Sequence, residues 1–86
     1  MDRTEALTKV TEVLVDDLGI PPEQITLASN LRDDLGMDSL DLVELVSALE
    51  DAVNQRVPAA ALGEVHTVSD AVDFVVDLAE GKQPIG

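Results

Sequence analysis

Apolar residues in this chain recur at steps of three and four, in three blocks separated by glycine and proline, and that period dictates amphipathic helices. Leu7, Val10, Leu14 and Leu18 form the first stripe, widened by Val13. Leu42, Val46, Leu49 and Val53 form the second, broadened by Val43 and Leu45. Val68, Val72, Val75 and Ala79 form the third, with Phe74 and Leu78 alongside. No stretch sustains the apolar–polar alternation of a half-buried strand. Helices are therefore expected at about 4–18, 39–53 and 68–79. A short fourth helix is expected at about 59–64, introduced by Val57 and Pro58, and it survives only if Leu62 and Val65 pack on the larger helices. The chain reads as all-α, a small four-helix bundle in a single domain over 1–86. A chain of this length buries only about 60–65% of its unfolded surface, which leaves no room for a second core. With no cysteine there is no disulfide, and no Cys/His cluster offers structural zinc, so stability rests on packed helix faces.

The stripes have chemically sensible ends. Asp2 and Glu5 form an N-terminal cap pair, and Gly19 followed by Pro21 and Pro22 stops the first helix. Asp38 caps the second helix, with Asp41 three residues on as the return half of a capping box. The last helix opens at Thr67 or Ser69, and residues 81–86 are expected to fray. Between Gly19 and Asp38 the chain is too broken for a regular helix, yet Ile25, Leu27, Leu31 and Leu35 keep it apolar. This long loop is expected to be packed down, with Ser29 capping a short turn that Gly36 ends.

A formal net charge of −13 on 86 residues costs self-repulsion and restricts partners. Five Lys and Arg residues cannot displace counterions from nucleic acid or bind an anionic membrane well, so basic protein surfaces are the natural partners. Solubility alone is the competing reason for such acidity. The segment from Met1 to Glu12 is polar where a secretory signal needs an apolar core, and no apolar run approaches the ~20 residues that span a bilayer. A soluble, cytoplasmic protein is expected, and like charge favours a monomer.

The segment Gly36-Met37-Asp38-Ser39-Leu40 places a hydroxyl on the first turn of a helix beside its N-cap. Glycine allows the turn, aspartate caps free N–H groups, and the helix dipole puts positive potential at the serine, where a phosphodiester would be favoured. Ser39 is a poor hydrolase nucleophile. A nucleophile elbow reads G-x-S-x-G, whereas Leu40 and Asp41 follow this serine, and the candidate bases are the single histidine, His66, and the upstream Lys9. His66 reads as a surface or helix-start residue. A calcium loop fails as well: Asp33, Asp41 and Glu44 fall at the first, ninth and twelfth places of its frame, but Leu35, Met37 and Asp38 occupy the third, fifth and sixth. No catalytic residue and no metal site is expected.

From Asp33 to Asp51 the chain reads D-D-L-G-M-D-S-L-D-L-V-E-L-V-S-A-L-E-D, which resembles the signature of the acyl carrier protein family in its freestanding bacterial fatty acid or polyketide synthase form. The resemblance continues through Val57-Pro58 and through His66 to Phe74, covering the chain from Leu7 to Leu78. It implies that Ser39 receives 4′-phosphopantetheine from coenzyme A through a phosphopantetheinyl transferase with magnesium. The thiol of the arm then holds acyl groups as thioesters. Catalysis would belong to partners such as acyltransferases and ketosynthases, so the chain itself is a carrier.

The same resemblance assigns Asp38, Asp41, Glu44, Glu50 and Asp51 to docking on basic patches; read from residues alone, this side of the helix is a solvated face. Leu40 either inserts into partner pockets or covers the core edge. The acyl chain of the family lies between helices, and the matching positions are Val46, Leu49, Val57, Leu62, Val65, Phe74 and Val75. Each buried methylene stabilises by ~0.8 kcal/mol, so six would approach ~5 kcal/mol. These residues would be apolar in any bundle. Ser47 stands where relatives often have methionine, and Ala59-Ala60-Ala61 replaces an acidic stretch. Both trim the docking surface and suggest a dedicated polyketide, peptide or lipid pathway. A peptidyl carrier and an acidic helical adaptor without an arm are the alternatives, the strong acidity of the second helix pointing away from the former.

Overall fold

The computed structural model describes residues 1–56 and 63–81. Three α-helices carry the fold: α1 spans Arg3–Glu12, α2 spans Ser39–Val53 and α3 spans Val68–Ala79. The described residues contain no strand, only an isolated bridge between Asn30 and Thr67. The short helix expected at 59–64 lies outside the described residues except for Gly63 and Glu64.

Each helix starts where a carboxylate or hydroxyl takes up free N–H groups. At α1, Asp2 Oδ1 accepts from the Glu5 N–H at 2.8 Å. At α2 the box is reciprocal: the Asp41 N–H donates to Asp38 Oδ1 at 2.9 Å and the Asp38 N–H to Asp41 Oδ2 at 3.2 Å. At α3 the Asp70 N–H donates to Thr67 Oγ1, and the Thr67 N–H donates to Asp70 Oδ2, each at 3.1 Å. Such caps are each worth about 1 kcal/mol.

The ends are less uniform. α1 runs on into a π-helical turn over Val13–Asp17, so the expected helix to Leu18 is present but widened in its last turn. The Ile20 N–H then closes on the Leu14 carbonyl at 2.8 Å around Gly19, whose φ is 71°. The closure is one residue wider than the six-to-one bond by which a left-handed residue usually ends a helix, in keeping with the π-helical last turn. α2 ends with the six-to-one bond itself around Asn54, at φ 56°, the Gln55 N–H donating to the Glu50 carbonyl at 3.0 Å.

All three stripes meet in one core. Val10 from α1, Leu14 from the π-helical turn, Leu45 and Leu49 from α2, and Val72 and Leu78 from α3 are wholly or almost wholly buried. Burying each such side chain contributes about 1.5–3 kcal/mol. Three expectations are corrected. Val43 is 47% exposed, because it lies on the side of α2 bordering a surface cleft rather than the core. Ala79 is exposed, because α3 runs one residue past Leu78, the last side chain that its neighbours cover. Leu27 is 45% exposed, and the loop is held instead by Leu31, Leu35 and the unforeseen Met37, all buried.

That loop is tied by hydrogen bonds on both sides. Ser29, buried, does not cap the following turn. Its Oγ donates to the Gln24 carbonyl and accepts from the Thr26 N–H, which consumes it on the preceding turn. Asn30 takes the capping role, its Oδ1 accepting from the N–H groups of Arg32 at 3.0 Å and Asp33 at 2.9 Å. Gly36 ends this turn as expected, at φ 71°, and the Met37 N–H returns to the Leu31 carbonyl at 3.0 Å. The loop also grips the start of α3. The Leu31 N–H donates to the His66 carbonyl, the Val68 N–H to that of Ser29 and the Ser69 N–H to that of Leu27.

Candidate functional site

The loop and α2 meet at Ser39. It is the first residue of α2, directly after the N-cap, and it is solvent-exposed. Asp38 fixes the backbone here twice over: its carboxylate takes the Asp41 N–H and its carbonyl accepts from the Leu42 N–H at 3.0 Å. The hydroxyl thus stands at the positive end of a helix fifteen residues long.

The side-chain partner of that hydroxyl is Arg32, whose Nη2 donates to Ser39 Oγ at 3.1 Å. Sequence reasoning did not single out Arg32. The signal available was a lone cation seven residues upstream of the serine, in an otherwise acidic stretch. A guanidinium does not deprotonate in proteins, so this contact cannot serve as a general base. Among the described residues, Ser39 therefore lacks the nucleophile–base pairing that hydrolysis requires.

Along α2 the expected docking residues are mostly at the surface. Asp38, Glu44 and Asp51 are exposed, while Asp41 and Glu50 are half-buried. Leu40 is 79% exposed, the most exposed large apolar side chain of the described residues, so it does not cover the core edge. Val43 adds a second apolar side chain to this acidic surface.

The residues expected to line an acyl site are placed differently. Val46, Leu49, Val65, Phe74 and Val75 are all buried within the one core, and Val57 and Leu62 lie outside the described residues. Of these positions, Val65 and Phe74 line an opening of about 140 Å³, whose rim carries Glu64, Asp70, Asp73 and Asp77. The opening next to the serine is a different one, about 160 Å³, lined by Arg32, Ser39, Leu42, Val43 and Gly63. Val43 and Leu42 were read from the sequence as part of the helix stripe; neither was expected at an opening.

Residues 8–75 match the family of phosphopantetheine attachment sites. The chain is 54% identical over 78 residues to an acyl carrier protein of Saccharopolyspora erythraea, covering 91% of this chain and 82% of that one. It is 43% identical over 77 residues to an acyl carrier protein of Rubrobacter xylanophilus, covering 90% of this chain and 95% of the relative. The chain belongs to the acyl carrier protein family. It holds acyl groups through 4′-phosphopantetheine and is a carrier, not a catalyst. It works with a phosphopantetheinyl transferase and with acyl-processing enzymes. The group fits what the structure offers: an accessible hydroxyl, a helix N-terminus and a guanidinium within hydrogen-bond reach. No helix among the described residues is long and apolar enough to cross a membrane.

Proposed function

We propose that 4′-phosphopantetheine is attached at Ser39, and that residues 1–86 act as one carrier domain whose acidic α2 face docks onto basic surfaces of partner enzymes. The observation that carries this reading is the exposed Ser39 hydroxyl on the opening residue of α2. There the helix dipole favours the phosphodiester that attachment creates, while the capping box holds the backbone still. Bound, the arm supplies a thiol for thioester formation; the chain has no cysteine of its own.

Docking rests on Asp38, Asp41, Glu44, Glu50 and Asp51, with Leu40 as the apolar tooth. Exposed ion pairs contribute only about 0–1 kcal/mol each, whereas complementary fields raise encounter rates strongly. Contacts of that kind form and release quickly, as a carrier visiting several enzymes needs. Acyltransferases and ketosynthases of a freestanding fatty acid or polyketide system, in the cytoplasm, are the partners this surface suits. The acyl chain would enter the core among Val46, Leu49, Val65, Phe74 and Val75, with Val57 and Leu62 completing the set. That requires the packed helices to part, so chain length should be limited by the cost of opening the core. Ser47 is exposed on the docking helix, and its small side chain there supports service to a dedicated pathway.

Attachment is tested by incubating the protein with coenzyme A and a broad-specificity transferase, then measuring intact mass. One added arm is expected on the wild type and none on Ser39→Ala, with helical content unchanged. An arm still added to Ser39→Ala overturns the assignment, and no arm on the wild type leaves an acidic adaptor. Turnover with pathway-specific and with general fatty acid partners tests the dedicated reading, which equal efficiency in both would refute.

A further inference from the structure

We infer that Arg32 is the positioning residue for the root of the arm, holding the phosphodiester on Ser39 by a charge-assisted contact. This rests on attachment at Ser39 and goes beyond it. The protein carries a net charge of −13, and loading adds another anion at a place flanked by the carboxylates of Asp38 and Asp41. Each of those two carboxylates accepts a backbone N–H in the capping box, which directs part of its field into the helix end. A cation at the serine offsets the rest.

Cations are scarce here. The chain holds five Lys and Arg residues, and among the described ones Arg3 is already committed to Asp73. Arg32 instead points at a neutral hydroxyl, 3.1 Å from Ser39 Oγ. A guanidinium hydrogen-bonded to a neutral oxygen gains strength when that oxygen becomes part of an anion, and its planar fork of N–H donors suits phosphate oxygens.

The backbone of Arg32 is also held in advance. Leu31 is fully buried and bonded through its N–H to His66, the Arg32 N–H is taken by Asn30 Oδ1, and the Arg32 carbonyl accepts from the Gly36 N–H. Only the side chain remains to be ordered, so little freedom is lost on contact. Arg32 and Ser39 line the same opening, with Leu42, Val43 and Gly63. Fixing the phosphodiester here sets the start of the arm at the mouth of that opening and leaves the thiol end to move.

Phosphorus NMR of the loaded protein reads this contact directly. Wild type, Arg32→Lys and Arg32→Gln are loaded with the transferase, and intact mass verifies the arm. In the wild type the phosphodiester resonance is expected to move with added salt, because an exposed ion pair is screened. Its high-salt position should approach that of Arg32→Gln, whose own resonance should stay put. Arg32→Lys, which keeps the charge but not the fork, should fall between them. A wild-type resonance insensitive to salt, or one that coincides with Arg32→Gln at every salt concentration, overturns the role of Arg32 while leaving attachment at Ser39 intact. Failure of the wild type to gain the arm overturns the attachment itself.

Discussion

Helices α2 and α3 are built from the same parts and used differently. Both open with a reciprocal capping box and both are acidic in the first turn. Yet α3 buries Val68, Ala71, Val72, Phe74, Val75 and Leu78 out of twelve residues, whereas α2 buries four of fifteen. The longer helix commits less of itself to the core. What it withholds includes Leu40 and Val43, apolar side chains left in solvent among carboxylates. Leaving a leucine 79% exposed wastes the stabilisation that its burial would contribute, so the outer side of α2 is shaped by something other than folding. α3 serves as scaffold, and on the proposed reading α2 is the presenting surface.

This division can be broken most forcefully in the core. Leu45→Ala in α2 and Leu78→Ala in α3 should each cost about 2–5 kcal/mol in urea or thermal unfolding, because both side chains are fully or almost fully buried. A much smaller cost at Leu45 would mean that α2 is not anchored as the burial indicates. Next come the caps: Asp38→Ala and Thr67→Ala should each lose about 1 kcal/mol of stability. Asp38→Asn sharpens the comparison, since it keeps the cap but removes a charge from the proposed docking face. It should leave stability within about 0.5 kcal/mol and slow association with partners at low salt, as stopped-flow measurements would show. Smallest in stability terms is Leu40→Ala, within about 0.5 kcal/mol of wild type, while turnover by partner enzymes falls. If Leu40→Ala instead destabilised as much as Leu45→Ala, the outer side of α2 would be structural after all.

The helical stripes, their start points and the serine on the opening turn of α2 were legible because each depends on residues within four positions of one another. Asp2 and Asp38 cap as their local patterns indicate, and of Thr67 and Ser69, both open from the sequence, Thr67 caps α3. What was not legible depends on who covers whom. Val43 and Ala79 sit at the margins of apolar stripes, and a stripe does not say how much of its width the other helices reach. Ser29 and Asn30 are equally good capping residues by type; the backbone path of Gln24 to Thr26 decides between them by claiming the Ser29 hydroxyl. The π-helical turn at Val13–Asp17 preserves the apolar order while changing the hydrogen-bond spacing, so periodicity cannot reveal it. Arg32 went unnoticed because its contact spans seven residues across a glycine turn, and no local period connects the two.

The clasp between the 19–38 loop and the start of α3 has a temporal meaning. Leu31, Ser29 and Leu27 are secured by His66, Val68 and Ser69, residues about forty positions downstream. During synthesis, the stretch that holds Arg32 beside Ser39 therefore has only its local hydrogen bonds until the residues that open α3 have been made. Nascent chains arrested before Val68 should accordingly be loaded more slowly than chains that carry α3.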